Sequence, residues 1–310
     1  MQTTIFYGNG VNLLSKNGKT WDTILREISV GQILPPIGSN TLKYEYIVLP
    51  KDKNTEINTG CSFSVNGTPL HIMVDTEEDI KTKLKGIMSH YEAPAFYDKL
   101  AELEADNYIT TNYETFLNEP LMKRGYKRRN TECSNRNVEA HFTFVNGEKK
   151  IRLWNMHGSF DIEERIMLGL YEYCESLTML RSMFEPIKGK LNTKIDPNSW
   201  PFVMLHSDVY ILGFGLGYEE IDLWYFLTIR KRLIRANKID NNKIIFYSIN
   251  DNTLDIGKKK LLEALDVEVR MIDFDWSEYA YEKAYNCIYQ NIKNEKDKSH
   301  INKIEYERNT

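Results

Sequence analysis

The fold is decided by residues 209–236, which read VYILGFGLGYEEIDLWYFLTIRKRLIRA. Residues 209–212 are apolar and of strand length, the glycine-rich run at 213–217 is typical of a tight turn, and residues 219–236 show helical spacing. The same order repeats downstream, with strands predicted at 244–249 and 267–272 and helices at 254–265 and 277–293. Because parallel strands need a crossover connection, and these helices can supply it, the alternation predicts helices on both faces of a parallel sheet. We therefore expect an α/β fold with a doubly wound parallel sheet.

The N-terminal part of the chain extends this pattern. A strand is predicted at Thr3–Tyr7, and a helix follows around Trp21, where apolar residues recur three and four positions apart. Residues 31–70 are rich in turn formers and predict an insertion, in which Asn66-Gly67 indicates a hairpin. Further predicted elements are a helical stretch at 76–105, broken at Pro94, and a strand at 108–111.

The region 118–200 is predicted to contain a hairpin and helical inserts. Asn146-Gly147 separates two strand-like runs and predicts a type I′ turn, whose two central residues both have positive φ. The hairpin would bring Met156-His157-Gly158-Ser159 to a strand end. The remaining elements predicted here are a basic loop at 123–136, a helix at 162–184 and a loop at 188–201.

We expect residues 1–293 to form a single domain, with the insertion at 31–70, and the charged residues 294–310 to form a frayed C-terminal tail.

Composition excludes several classes of protein. The formal net charge of −4 provides no overall positive field for nucleic acid or an anionic membrane, although the basic loop could still make a local contact. We expect no signal peptide and no membrane-spanning segment, and therefore a cytoplasmic protein. The four cysteines are scattered without a C-x-x-C pair, which favours free thiols and predicts no bound metal; they are Cys61, Cys133, Cys174 and Cys287.

Three polar or glycine-rich segments follow predicted strands. Ligands of open parallel sheets bind beyond the carboxyl ends of the strands, where these segments would lie. Gly8-Asn9-Gly10 and residues 213–217 are compatible with phosphate binding through backbone amides, although each alone also fits an ordinary strand-to-helix turn. Residues 110–114 offer an amide and a carboxylate, and His157 titrates near neutral pH.

Together these segments resemble the sirtuin superfamily in order and spacing. The first is similar to the sirtuin Gly-Ala-Gly-Ile-Ser loop, the segment Thr111–Glu114 to the Gln-Asn-Ile-Asp motif, and His157-Gly158 to the catalytic His-Gly. The resemblance implies catalytic roles for Asn112 and His157. It implies NAD contacts for Gly8, Asn9, Gly10, Val11, Asn12, Thr111, Glu114, Gly213, Phe214, Gly215 and Asn250.

Departures from the sirtuin pattern indicate which branch of the superfamily the chain resembles. Deacylases carry a four-cysteine zinc module between the catalytic His and the Gly-Thr-Ser loop, whereas this interval holds only Cys174. The loop after the first glycines lacks the family's Pro-Asp-Phe-Arg stretch, and the helix around Trp21 is similar to sirtuin-like domains of bacterial antiphage systems. The resemblance therefore implies a Rossmann-like, sirtuin-type domain without a zinc module, which consumes NAD as its substrate.

The expected function is hydrolysis of the nicotinamide–ribose bond of NAD, as part of antiviral defence by abortive infection. A homo-oligomer and a separately encoded sensor protein are the expected partners. Two alternatives remain open at this point: a sensor that binds NAD or ADP-ribose without hydrolysing it, and an NAD-dependent protein deacylase.

Overall fold

The structure is a computed structural model of the chain. It describes residues 2–29, 34–35, 38–48, 61–65, 68–72, 75–130, 139, 142–161, 166–184, 195–250, 256–273 and 279–309. For residues 61–65, 68–72, 75–78, 130, 250 and 299–309 it describes the backbone alone.

The described residues form strands and helices that alternate along much of the chain. The strands are β1 (Gln2–Tyr7), β2 (Cys61–Val65), β3 (Thr68–Ile72), β4 (Asn107–Thr110), β5 (Lys127–Asn130), β6 (Phe142–Asn146), β7 (Lys149–Asn155), β8 (Ser207–Leu212), β9 (Ile244–Asn250) and β10 (Glu268–Asp273). The α-helices are α1 (Trp21–Ile28), α2 (Asn40–Val48), α3 (Asp75–Met88), α4 (Phe96–Glu102), α5 (Asn118–Lys123), α6 (Leu170–Phe184), α7 (Trp200–His206), α8 (Ile221–Arg235), α9 (Ile256–Ala264) and α10 (Ala280–Asn309). A 3-10 helix covers Asn9–Leu14.

One eight-stranded sheet organises the molecule, in the order β10-β9-β8-β1-β4-β7-β6-β5. The pairs from β10 to β7 are parallel, and the pairs β7–β6 and β6–β5 are antiparallel. The chain leaves the central strand β1 and fills one side of the sheet with β4 and β7 before it returns to β8 on the other side. This reversal of strand order creates a crevice at the carboxyl ends of the strands next to β1. The predicted doubly wound α/β sheet is thus confirmed at the level of an α/β fold with a mostly parallel sheet.

Helices cover both faces of the sheet and bury two apolar cores. Residues of α4, α5 and α10 pack with one face of β1, which contributes Ile5 and Tyr7. Residues of α6, α7, α8 and α9 pack with the other face, to which β1 contributes Phe6. Strand residues alternate between the faces, so a run buried on both sides is mostly apolar, as Ile5-Phe6-Tyr7 shows.

A third apolar cluster joins α1, α2 and α3 beside the carboxyl edge of the sheet. Its link to the sheet domain is made by Tyr113, Ile166 and Leu168, which lie in segments that follow β4 and β7. The short helix α1 begins after Thr20, whose side-chain oxygen accepts a hydrogen bond from the Thr23 N–H.

Several predicted elements differ from the structure. The insertion at 31–70 contains the helix α2, which was not predicted; β2 and β3 form the expected hairpin, while Asn66-Gly67 itself lies outside the described residues. The basic segment is not a continuous loop, because Lys123 ends α5 and residues 127–130 form the edge strand β5. Residues 131–136 of that segment also lie outside the described residues.

The helix predicted at 162–184 begins only at Leu170. Residues 166–168 are apolar and buried, but they run as a non-helical segment whose Met167 N–H donates to the His157 carbonyl oxygen at 2.8 Å. Burial against the third cluster and this long-range bond outweigh local helical spacing. The loop predicted at 188–201 ends early, because α7 begins at Trp200 after the capping residue Ser199.

The hairpin between β6 and β7 is present, but its turn differs from the predicted type I′. Asn146 pairs with Lys149, so Gly147 and Glu148 are the central residues rather than Asn146 and Gly147. Gly147 has a φ of +59°, which a first central glycine supplies without strain. The prediction of a frayed tail is wrong for residues 294–309, which continue α10 as helix.

Of the helices formed by the described residues, none combines the length and the apolar character that crossing a membrane requires.

Candidate functional site

The segments identified in the sequence leave the sheet at the same edge. Tyr7 pairs with Leu212 on one side and Thr110 on the other, and Thr110 pairs with Asn155. The last residues of β8, β1, β4 and β7 are therefore level with one another. Because these strands are parallel, the loops that follow them meet in the crevice next to β1.

The two glycine loops contact each other directly. The Gly8 N–H donates to the Leu212 carbonyl oxygen at 3.2 Å, and the Gly10 N–H donates to the Gly213 carbonyl oxygen at 2.8 Å. A Cβ atom on Gly10 would lie 2.6 Å from the Tyr285 hydroxyl oxygen and 2.8 Å from the Gly213 Cα. Gly213 itself has a φ of +60°. The glycines are thus required for close approach of two backbones.

This contact corrects one sequence-based expectation. The amides of Gly8, Gly10 and Gly213 were expected to receive the pyrophosphate of a nucleotide, but the N–H groups of Gly8 and Gly10 are hydrogen-bonded to the neighbouring loop. A phosphate at this position would need other donors.

A buried polar network links residues that follow β1, Asn9 and Asn12, with residues that follow β4, Asn112 and Glu114. The Tyr97 hydroxyl oxygen lies 2.8 Å from Asn12 Oδ1 and 2.7 Å from Glu114 Oε1. Asn112 Nδ2 donates to the same Glu114 oxygen at 3.0 Å, and Asn12 Nδ2 donates to Asn9 Oδ1 at 3.2 Å. Four predicted site residues therefore share one network, joined by a tyrosine of α4.

Burial and hydrogen bonding act in opposite directions on the pKa of the Glu114 carboxyl. Burial raises the pKa of the Glu114 carboxyl, although hydrogen bonds from Tyr97 and Asn112 oppose this effect. Tyr97 has one hydroxyl proton and two close acceptors. It can donate to only one of them at a time, and a bond to Glu114 favours the ionised carboxyl, whereas burial, the larger effect, favours the neutral form.

His157 follows β7 and faces two carboxylates. Its Nε2 lies 3.8 Å from Glu220 Oε2 and 3.8 Å from Asp222 Oδ2, beyond hydrogen-bond distance but close enough for strong electrostatic attraction. On the other side of the ring, Nδ1 lies 3.5 Å from the Tyr173 hydroxyl oxygen. His157 is buried, and its Nε2 has no hydrogen-bond partner among the described residues.

The charges of this cluster are coupled. Burial lowers the pKa of His157, but the Asp222 and Glu220 carboxylates outweigh burial, so that the pKa is raised overall. Burial, together with the negative charges of Asp222 and Glu219, raises the pKa of Glu220 to about 7, although His157 opposes this shift. The surroundings therefore raise the pKa values of both His157 and Glu220, and shifted pKa values of this kind are typical of acid–base sites. His157, Glu220 and Asp222 each offer one atom that could bind a metal ion, and these atoms lie within 4.8 Å of one another. A cation could therefore take the place of a proton in this cluster.

A cavity of 510 Å³ opens from this cluster along the carboxyl edge of the sheet. His157, Tyr173 and Glu220 line one part, and residues 246–249 at the end of β9 line another, with the loop 213–217 between them. Side chains of the helical cluster also line the cavity; they include Trp21, Leu25 and Tyr44. The volume suits a small-molecule ligand, for which pockets of about 300–1,000 Å³ are typical.

The charged residues of the cavity are unevenly distributed. Three carboxylates line the cavity. Asp22 belongs to α1, and Glu219 and Glu220 directly precede α8. Lys258 of α9 also lines the cavity, and its Nζ donates to the Gly215 carbonyl oxygen at 2.9 Å. The cavity thus offers an acidic part beside His157 and a cation beside the second glycine loop.

The predicted site residues are divided between this cavity and the buried network. Those that line the cavity are Asn9, Gly10, Thr111, His157, Gly213, Phe214 and Gly215. Those that do not are Gly8, Val11, Asn12, Asn112 and Glu114, all of which lie behind the lining. Asn250 ends β9, but its side chain lies outside the described residues.

Sequence reasoning did not single out five residues of the site. Glu220 directly precedes α8 and Asp222 lies in its first turn, so both resemble the acidic residues that are common at the start of a helix. Tyr97 resembles an aromatic residue of the core. No spacing in the sequence links them to His157 or Glu114, because they come from different elements. The missed residues are Tyr97, Tyr173, Glu220, Asp222 and Lys258.

Comparison with known proteins adds no identification: no protein-family model matches the chain, and no curated protein does either.

Proposed function

We propose that the chain is an NAD hydrolase of the sirtuin type without a zinc module, which binds NAD in the 510 Å³ cavity. The observation that carries the proposal is the placement of His157, with two carboxylates beside its ring, in the wall of a cavity at the strand-order reversal. Crevices at such reversals are the usual nucleotide sites of doubly wound sheets.

The charges of the cavity favour one orientation of NAD. The nicotinamide ring is cationic before cleavage, and the transition state carries positive charge on the ribose, so both fit the acidic part beside Glu220. The pyrophosphate is anionic and fits Lys258, which replaces the engaged glycine amides as a donor. Adenosine would then lie against residues 246–249.

The reaction breaks the bond between nicotinamide and ribose C1′ and forms a bond from water oxygen to C1′. Nicotinamide leaves with the bonding electron pair and becomes neutral, while the attacking water gives up a proton. His157 is the proposed acceptor of that proton, a role that typically accelerates a reaction about 10²–10⁴-fold. The products are nicotinamide, ADP-ribose and a proton.

Asn112 is proposed to orient the reacting ribose or water; it lies outside the cavity lining, so this role requires a ligand or water to reach it beside the lining residue Thr111. Its Nδ2 is fixed by Glu114, whereas its Oδ1 has no hydrogen-bond partner among the described residues. A buried acceptor without a partner is costly, so a ligand hydroxyl or water that donates to it would be favoured.

Incubation of the purified protein with NAD, followed by chromatography of the products, tests the proposal. We expect equal amounts of nicotinamide and ADP-ribose, with loss of both in His157→Ala. Asp208→Asn is a suitable control, because Asp208 lies near the amino end of β8, away from the carboxyl ends that form the site, and accepts a hydrogen bond from the Lys243 N–H. NAD binding without products would favour the sensor alternative, and turnover of an acetyl-lysine peptide would favour a deacylase.

We further propose that hydrolysis depletes NAD during antiphage defence and is gated by homo-oligomer assembly or by a separate sensor protein. Unregulated loss of NAD would kill the host, so an ungated enzyme would be harmful. Light scattering combined with activity measurement tests gating by assembly, and a fully active monomer would contradict it.

A further inference from the structure

We propose that Asp222 is a positioning residue for His157. Asp222 holds the imidazole proton on Nε2, so that the lone pair lies on Nδ1. The proposal rests on the proposed function for its catalytic consequence, but the hydrogen position can be measured without any substrate. Three features of the structure carry it: the burial of Asp222, the way its carboxylate is fixed, and the groups around His157.

The Asp222 carboxylate is removed from water and lies beside His157. The Asp222 side chain is 0% exposed, and among the described residues only His157 brings a cationic nitrogen within ion-pair distance of it. A charge removed from water is strongly disfavoured unless it is paired or hydrogen-bonded. A proton on Nε2 places the positive end of the N–H bond toward the Asp222 carboxylate, 3.8 Å away, and so stabilises its charge electrostatically.

The Asp222 carboxylate is held in a fixed orientation. Oδ1 accepts a hydrogen bond from the Leu223 N–H at 2.8 Å, and Oδ2 accepts one from the Ser176 hydroxyl at 3.2 Å. Asp222 also lies in the first turn of α8, where the helix dipole favours a negative charge. Asp222 and Leu223 belong to α8 and Ser176 belongs to α6, so two helices fix the carboxylate that faces His157.

Glu220 is less suited to this role, although it lies at the same distance from Nε2. Its side chain is 16% exposed and lines the cavity. The Tyr173 hydroxyl lies 3.4 Å from Glu220 Oε2. We assign to Glu220 contact with the ligand and to Asp222 the orientation of the histidine.

The groups on the other side of the ring agree with this assignment. The Tyr173 hydroxyl, 3.5 Å from Nδ1 and 3.4 Å from Glu220 Oε2, can donate its proton to either group. With the imidazole proton on Nε2, Nδ1 accepts from Tyr173 or takes a proton from the ligand. With the proton on Nδ1, the Nε2 lone pair would face the Asp222 carboxylate, 3.8 Å away, and would be repelled.

Nuclear magnetic resonance of the ¹⁵N-histidine-labelled full chain tests the proposal. His157 is identified as the signal lost in His157→Gln, and its neutral form is expected to carry the proton on Nε2. Asp222→Asn, which keeps a side chain of the same shape, is expected to give a mixture of the two tautomers, whereas Asp208→Asn leaves the signal unchanged. A wild-type His157 with its proton on Nδ1 overturns the proposal even if no variant folds.

A kinetic measurement separates positioning from simple stabilisation. Asp222→Asn is expected to lower kcat about 100-fold, the low end of the contribution of a general base, while NAD binding changes less than about threefold. Loss of NAD binding together with kcat overturns the assignment, as does wild-type turnover in Asp222→Asn. If the wild-type protein does not hydrolyse NAD, the proposed function fails, but the tautomer of His157 still decides the role of Asp222.

A cation in place of the proton is the remaining alternative. Mn²⁺ added to the chelator-treated protein is expected to leave the His157 signal intact. Selective broadening of that signal at equimolar Mn²⁺, abolished in Asp222→Asn, identifies a metal site and overturns the proposal.

Discussion

At the scale of single residues, Asn112 and His157 are expected to act on one ribose in one transition state. Asn112→Ala and His157→Ala should each remove most NAD hydrolysis, and the double variant should be hardly slower than the slower single variant, since either loss disrupts the same arrangement. NAD binding should weaken less than about tenfold, or roughly 1.4 kcal/mol, because adenosine and pyrophosphate provide most contacts. Single-turnover rates and equilibrium binding check both statements. Losses that multiply would mean that the residues act independently.

The protonation of Glu114 gives a prediction on stability. A carboxyl whose pKa is raised on folding binds a proton more tightly in the folded state than in the unfolded state. Its contribution to the stability of the fold therefore declines as the pH rises above the ordinary pKa of the carboxyl, and it stops declining once the pH has passed the raised pKa of the folded state. Glu114→Gln keeps an acceptor for Asn112 and cannot ionise. We expect the melting temperature of this variant, relative to wild type, to increase between pH 5 and pH 8.

Glu102→Gln serves as a control of opposite sign for this experiment. The hydrogen bond from Lys293 lowers the pKa of the Glu102 carboxyl, so its charge stabilises the fold above the ordinary pKa and is lost as pH falls through the folded pKa. The effect is small, because the Glu102 side chain is 42% exposed. A Glu114→Gln variant whose relative stability falls as pH rises would contradict the raised pKa of Glu114.

Sequence reasoning identified the residues that follow strands, but not those that complete the site. Asn112, Glu114 and His157 stand out as polar residues directly after predicted strands, whereas Asn12 was included only through the resemblance to the sirtuin loop. Asp222 could not be found in this way, since an acidic residue in a first helical turn is favoured by the helix dipole alone. Its relation to His157 depends on how α8 and β7 pack, which no local pattern encodes.

At the scale of elements, the contact between the two glycine loops should be sensitive to a single methyl group. Gly10→Ala places a Cβ 2.6 Å from the Tyr285 hydroxyl oxygen and 2.8 Å from the Gly213 carbonyl oxygen. We expect a loss of about 1–3 kcal/mol in the free energy of unfolding, typical of an overpacked site. Urea denaturation of the variant and of wild type measures it.

Gly86→Ala is the matched control for the glycine contact. Gly86 lies within α3, and a Cβ there would meet no atom within 4 Å. Because alanine favours helix, this variant should gain up to about 1 kcal/mol. Equal stabilities of the two variants would show that the loops can separate without cost.

Elements were predicted well where local and long-range preferences agree. Strands β1, β4, β8 and β9 are apolar runs that end at turn formers, and their burial on both faces rewards that composition. The start of α6 was predicted too early, because Met167 bonds to His157 instead of continuing the helix. For residues 294–309, the charged composition suggested fraying, yet lysine and glutamate favour helix and extend α10.

At the scale of the whole molecule, the cavity lies between the sheet domain and the cluster of α1, α2 and α3. Trp21 and Leu25 of α1 and Tyr44 of α2 form part of its lining, while Tyr113 packs in the same cluster and follows β4. A ligand in the cavity would therefore contact both bodies of packed residues. Binding should slow the local opening of the helices, because opening would sacrifice ligand contacts.

Hydrogen–deuterium exchange with mass spectrometry tests this arrangement in the His157→Ala variant, which is expected to bind NAD without consuming it. Saturating NAD should slow amide exchange in α1 and α2, which line the cavity. The paired strands β5 and β6 lie at the far edge of the sheet and serve as the internal control. Their exchange should not change, although β5 carries Lys127, Arg128 and Arg129 and could attract phosphate by charge alone. Protection confined to β5 and β6 would place the nucleotide on this basic edge and exclude the cavity as its site.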